Sequence, residues 1–197
     1  KMKNNFDLSD LYNTVFDEHE DVLNKTRKKC YDDILAMHQC WLTAIKSGKK
    51  ILFFGNGGSA SDCQHLATEL TVRFKENRSP ISAVALTTDS SALTAIGNDM
   101  GFENLFSRQL EAIGTRGDVA VGISTSGKSP NVIKGLEMAR KKGMKTTGLT
   151  GCGGGNIRKL ANPLIVVPSN STARIQEMHI LIGQYLCEAL EGDLGLV

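Results

Sequence analysis

Two short glycine- and serine-rich segments, each leaving an apolar strand and running into a helix, restrict what this chain can fold into more than any other feature. The first strand, Ile51-Leu52-Phe53-Phe54-Gly55, passes into Asn56-Gly57-Gly58-Ser59-Ala60-Ser61-Asp62. The second, Val119-Ala120-Val121-Gly122-Ile123, passes into Ser124-Thr125-Ser126-Gly127-Lys128-Ser129-Pro130. Neither strand alternates polar with apolar residues, so both faces must be covered, as in a parallel sheet between helices. Glycines let backbone approach a ligand closely, and free amides at a helix start favour an anion. Neighbouring hydroxyls can donate to phosphate oxygens. Two such loops at the carboxyl ends of strands in one sheet imply a cleft for a small phosphorylated polyol.

The rest of the chain follows the same rhythm. Apolar spacing predicts helix in two parts from Asp7 to Lys46: Leu11, Val15 and Val22 in the first, and a broad stripe from Tyr31 to Ile45 in the second. That stripe is wide for a helix covering one sheet, which points to helix pairing between subunits. Strands are predicted at 50–55, 81–87, 118–124, 145–150 and 163–168. Helices are predicted at 59–75, near 90–98, and at 103–113, 130–142, 155–161 and 172–191, the last capped by Thr172. The expectation is a three-layer α/β/α fold with a five-stranded parallel sheet and an N-terminal helical extension. Residues 1–48 form the extension, within the same domain, and 49–197 the sugar-phosphate-binding core.

Composition narrows the function. A chain of 197 residues, 41% apolar, can bury one substantial core. A net charge of +2 gives no push toward nucleic acid or membrane. No apolar stretch approaches a membrane span, and Lys1-Met2-Lys3-Asn4-Asn5 lacks a signal-peptide core. Cys30, Cys40, Cys63, Cys152 and Cys187 form no paired motif, which suits reduced thiols in a cytoplasm.

Two nucleotide-binding readings fail on context. Gly55-Asn56-Gly57-Gly58-Ser59-Ala60 fits the dinucleotide fingerprint, but no acidic residue ends a second strand at the required spacing. Gly122 to Ser129 fits the phosphate-loop pattern, yet Gly122 falls inside the strand and three hydroxyls replace the glycine-rich interior. A monophosphate cradle is the better reading. His65 and Glu69, four apart with Arg73 continuing the row, can share a divalent metal or supply a base; a solvated His–Glu pair is the plain alternative. Gln176 and His179 interrupt an apolar helix face, so one of them should face the cleft, unless His179 is simply a satisfied core histidine. Asn98-Asp99 reads as a helix-breaking turn that either bonds sugar hydroxyls or caps the next helix.

Together Gly55–Ala60 with Asp62, His65 and Glu69, then Ala95-Ile96-Gly97-Asn98-Asp99, Ile123–Asn131 and Ala173-Arg174-Ile175-Gln176-Glu177 resemble the phosphoheptose isomerases of the sugar isomerase (SIS) superfamily. The resemblance runs from about residue 7 to 191. It implies a flavodoxin-like sheet and an aldose–ketose isomerase converting sedoheptulose 7-phosphate to D-glycero-D-manno-heptose 7-phosphate for surface glycans such as lipopolysaccharide. It further implies that Ser124, Thr125, Ser126 and Ser129 hold the phosphate, and that Asn56, Gly57, Gly58, Ser59, Asn98, Asp99 and Gln176 line the sugar. Glu69 would be the base, and His65, Glu69, Gln176 and position 184 would hold one zinc ion per subunit of a cytoplasmic homotetramer.

One position departs from the family. Eight residues after Gln176, where the family has a histidine serving as metal ligand and general acid, this chain has Gln184. A glutamine amide can offer oxygen to zinc but cannot deliver a proton at neutral pH. The departure predicts weakened metal binding and slowed turnover. The alternative is a non-catalytic SIS protein that acts through contacts, like the relatives that associate with the bacterial replication initiator. Retention of Asp62, His65 and Glu69 favours the enzyme.

Overall fold

A computed structural model describes residues 7–197. The Asp7 carboxylate accepts the N–H of Ser9 at 2.8 Å and opens α1 (Leu8–Lys29), whose last turn carries Arg27, Lys28 and Lys29 against the negative helix end. Cys30 alone separates it from α2 (Tyr31–Lys46). The chain then alternates through β1 (Ile51–Gly55), α3 (Gly58–Thr71), β2 (Ala83–Ala85), α4 (Ser90–Met100), α5 (Leu105–Ile113), β3 (Val119–Ser124), α6 (Pro130–Lys141), β4 (Lys145–Thr150), β5 (Leu164–Val166) and α7 (Thr172–Asp193). Short 3₁₀ segments occupy Phe102–Asn104 and Cys152–Lys159.

All strand pairings are parallel, in the order β2-β1-β3-β4-β5. Successive β1 side chains enter opposite faces, which splits the core into two layers. Ile51 and Phe53 pack with Met37 and Trp41 of α2, Leu66 of α3 and Ile175 of α7. Leu52 and Phe54 pack with Phe106 of α5 and Leu136 of α6. Trp41 meets the Phe53 ring edge-on, 5.4 Å between centroids. The α/β/α layering and five parallel strands expected above are therefore present.

The chain leaves β1 toward β2 on one side, while β3 lies on the other. The winding thus reverses between β1 and β3, and a crevice opens at their carboxyl ends. Because α3 and α6 lie over opposite faces, the two loops diverge there and leave it open from above.

Several local expectations are corrected. The helix after the first loop stops at Thr71 with Val72 as C-cap, so Arg73 lies beyond the helix and does not extend the His65–Glu69 row. Asn98 and Asp99 sit in the last turn of α4 and form no turn: Asp89 nucleates that helix by accepting the Ala92 N–H at 2.9 Å, and the chain leaves it only at left-handed Gly101. Ser171 takes the cap position before α7, and Thr172 is its first helical residue. The segment expected as helix at 155–161 belongs to a 3₁₀ stretch interrupted by three left-handed glycines, Gly153, Gly154 and Gly155.

Candidate active site at the β1–β3 crevice

The two loops leave adjacent strands in register, Gly55 beside Ile123. Gly57, at φ 56°, makes the turn into α3 that an L side chain would strain. In the second loop the Ser124 and Ser129 hydroxyls lie 3.0 Å apart, and the Ser126 hydroxyl accepts the Lys128 N–H at 3.2 Å. The loop is held from behind by backbone: Thr125 O accepts from Gly151, and Gly127 O accepts from Asn156 and Ile157. Those bonds occupy main-chain groups and leave the Thr125, Ser126 and Ser129 side chains half-buried at the crevice, next to the α6 start at Pro130. Lys128 is exposed, and Gly122 is buried inside β3, so the glycine turn of a nucleotide phosphate loop is absent.

A reciprocal amide pair joins the loops. Asn56 Nδ2 donates to Asn131 Oδ1 and Asn131 Nδ2 donates to Asn56 Oδ1, both at 2.8 Å. Ser59, by contrast, is 3% exposed and lies beneath Gly55 rather than at the opening.

Two and three turns along α3 from the first loop, roughly 10 and 16 Å from its start at Gly58, His65 Nε2 and Glu69 Oε1 are 2.9 Å apart, with side chains 47% and 19% exposed. The neighbouring Leu70 O accepts from Ile81, toward the amino end of the sheet and away from the crevice. One turn before them is Asp62, whose Oδ2 is buried without a partner. Burial pushes its carboxyl up to about 6, with His65 pulling the other way. Helix α7 runs beside α3 in the same direction: Gly183 admits Leu66, and the Gln176 amide lies against Gly58 so closely that a Cβ there would collide with it. Half-buried Gln184 is two turns further on, about 12 Å along the axis. One turn past Gln184, burial first, and then the Glu69 charge, push the Cys187 thiol up to about 12.

Of the two polar interruptions on α7, Gln176 is the one at the loop. His179 is 1% exposed, neither ring nitrogen has a hydrogen-bond partner, and burial lowers its pKa to about 4, the Thr150 backbone opposing. It is a neutral core residue. Asn98 and Asp99 are exposed, bonded to each other at 2.7 Å, and among the described residues neither bonds to the two loops. Asn131 and Arg174 carry no assigned role in the sequence reading, although both lie in its quoted motifs. Arg174 is buried and donates to Val15 O at 2.9 Å and to Glu177 at 2.5 Å, fastening α1 to the turn of α7 that carries Gln176.

Among the described residues no three His, Cys, Asp or Glu side chains cluster as a metal site. His65 and Glu69 supply one imidazole and one carboxylate in contact, whereas Gln176 lies against Gly58, two turns back toward the start of α3. Glutamine amide oxygens added to that pair would suit a divalent cation but hold zinc less firmly than a set with a second imidazole, since zinc favours nitrogen and sulfur donors.

The buried Asp62 carboxylate gives a stability prediction. Its folded pKa, about 6, lies above the unfolded 3.8, so the folded chain holds the proton more tightly. The cost is therefore absent below the unfolded value and complete above the folded one. Asp62→Asn is expected to raise stability at pH 8 by about 1 kcal/mol, after discounting for partial exposure, and to give no gain at pH 3.5. Urea unfolding at the two pH values measures the difference.

Comparison with known proteins agrees with this geometry. The SIS domain family model matches residues 15–151. The phosphoheptose isomerase of Paramagnetospirillum magneticum is 52% identical over 174 residues, 88% of this chain and 91% of that protein. That of Helicobacter pylori is 47% identical over 184 residues, 93% and 96% of the two chains. The solved phosphoheptose isomerase of Neisseria gonorrhoeae superposes with a TM-score of 0.89 at 41% identity, covering 94% of this chain and 100% of its own. The Francisella tularensis enzyme superposes at 0.92 with 33% identity, covering 95% and 100%.

Proposed function

The chain belongs to the phosphoheptose isomerases of the SIS domain family, and we propose that it interconverts sedoheptulose 7-phosphate and D-glycero-D-manno-heptose 7-phosphate. The observation that supports this most directly is the joining, at the β1–β3 crevice, of a hydroxyl-lined loop to the loop that starts the His65–Glu69 helix. The Ser124, Thr125, Ser126 and Ser129 hydroxyls hold the phosphate. Asn56, Gly57, Gly58 and Gln176 meet the sugar hydroxyls, and exposed Asn98 and Asp99 join them from α4. Ser59, beneath Gly55, supports the loop.

Glu69 is the base. It removes a proton from C1 of the ketose as the C2 oxygen gains one, giving an enediol. Return of the carbon-bound proton to C2 and loss of the O1 proton leave the aldose, so no atom is gained or lost. His65 orients the carboxylate through their 2.9 Å contact. Because Gln184 cannot transfer a proton, solvent water carries the oxygen-bound one. A zinc ion held by His65, Glu69, Gln176 and Gln184 would polarise the substrate carbonyl.

We also propose a homotetramer acting in the cytoplasm, where five free thiols suit a reducing environment. Leu8, Leu11, Tyr12 and Phe16 form a stripe on α1 that is 43–70% exposed in the single chain, more apolar surface than a lone helix leaves in water. Gln184 supports a second reading, binding without turnover. Thermal melting with sedoheptulose 7-phosphate, combined with product detection by ¹³C NMR, separates the cases. A raised midpoint with aldose formed is expected. A raised midpoint without product supports the second reading, and an unmoved midpoint overturns both.

A further inference from the structure

We infer that Asn131 is a positioning residue that holds the sugar-binding loop in place relative to the phosphate cradle. The inference rests on the reading of this crevice as a sugar-phosphate site.

Asn131 is 1% exposed, at the second position of α6, immediately after the hydroxyl loop. A buried amide must find partners, and this one finds them 75 residues away in the chain. It gives one hydrogen bond to Asn56 and receives one from it, each at 2.8 Å. Its Oδ1 also accepts the Val132 N–H at 2.9 Å, which locks the side chain to the α6 backbone. Among the described residues this pair makes the only side-chain hydrogen bonds that cross between the two loops. The cradle has separate support: Ser124 with Ser129, and the backbone bonds from Gly151, Asn156 and Ile157, all on the β3–β4 side. Loss of Asn131 therefore leaves the phosphate grip in place and frees Asn56, whose half-buried side chain can turn to water.

That separation defines the test. Melting-midpoint titrations with inorganic phosphate and with sedoheptulose 7-phosphate are run on the full chain, Asn131→Ala, Asn56→Ala and the double variant. The two bonds act on affinity by holding the loops in the binding arrangement before the ligand arrives. Their loss is therefore expected to lower sugar-phosphate affinity by up to about tenfold, while phosphate affinity stays within about twofold. In the double variant, Asn131→Ala adds nothing to Asn56→Ala, because the two act as one unit. Equal losses for both ligands, no loss for either, or additive losses in the double variant overturn the inference. If Asn131→Ala does not fold, Asn131→Ser, which leaves a small polar group at the buried position, takes its place and must itself spare phosphate. An unsubstituted chain that ignores sedoheptulose 7-phosphate removes the functional reading. A chain that binds it equally well with and without Asn131 removes only this inference.

Discussion

Gln184→His is expected to raise the isomerase rate of this chain by about 10²–10⁴-fold, the usual contribution of a placed proton-transfer group. Position 184 follows Gly183, which packs on Leu66 of α3, so it lies level with the stretch of that helix carrying His65 and the proposed base Glu69. An amide there can hydrogen-bond an oxygen but cannot exchange a proton with it, whereas an imidazole titrating near neutrality can do so in both directions. The same substitution replaces an amide oxygen with a nitrogen donor, and zinc affinity should tighten by about tenfold or more. Zinc titration against a competing chelator measures this apart from turnover. Equal rates in the two proteins would mean that position 184 does not limit the reaction, with solvent sufficing as proton carrier.

Much of this was legible in the amino-acid order, for identifiable reasons. Ile51–Phe54 and Val119–Ile123 are apolar on both faces, a pattern compatible with few structures other than a covered parallel strand, and the flanking Gly-Ser loops mark which ends carry ligands. His65 and Glu69 are local on one helix, so their contact follows from spacing alone. The misreadings have several causes, some of them close by in the sequence. Asn98-Asp99 looks like a turn, but the helix is set by Asp89 nine and ten residues earlier and ended by Gly101. Arg73 looks helical because Arg78, which closes the end of α3, becomes its neighbour only on folding. Asn131 and Asn56 show nothing in sequence to suggest that each is the other's partner.

Arg78→Met is expected to destabilise the fold by about 3–5 kcal/mol, the largest single loss foreseen here. The Arg78 and Glu191 side chains are each 1% exposed and meet at 2.7 Å. Arg78 also donates to the backbone carbonyls of Glu69 at 2.7 Å and Leu70 at 2.8 Å, groups that the end of α3 leaves without helical donors. Glu191 accepts the Phe74 N–H at 2.9 Å. Burial pushes the Glu191 carboxyl up, yet the Phe74 N–H and the Arg78 guanidinium outweigh it and hold it below its ordinary value. A group so lowered stabilises the fold above its unfolded pKa and loses that effect as pH falls through the folded one. Methionine would strand a buried carboxylate at neutral pH, a penalty that shrinks as the pH falls and the carboxyl takes up a proton. For a chain of this size the midpoint should fall by about 6–20 °C at pH 7. A double substitution, Arg78→Met with Glu191→Leu, should recover most of the loss, because it removes both charges together. Should the double variant be as unstable as the single one, the loss would lie in the uncapped end of α3, beside the base, rather than in the stranded charge.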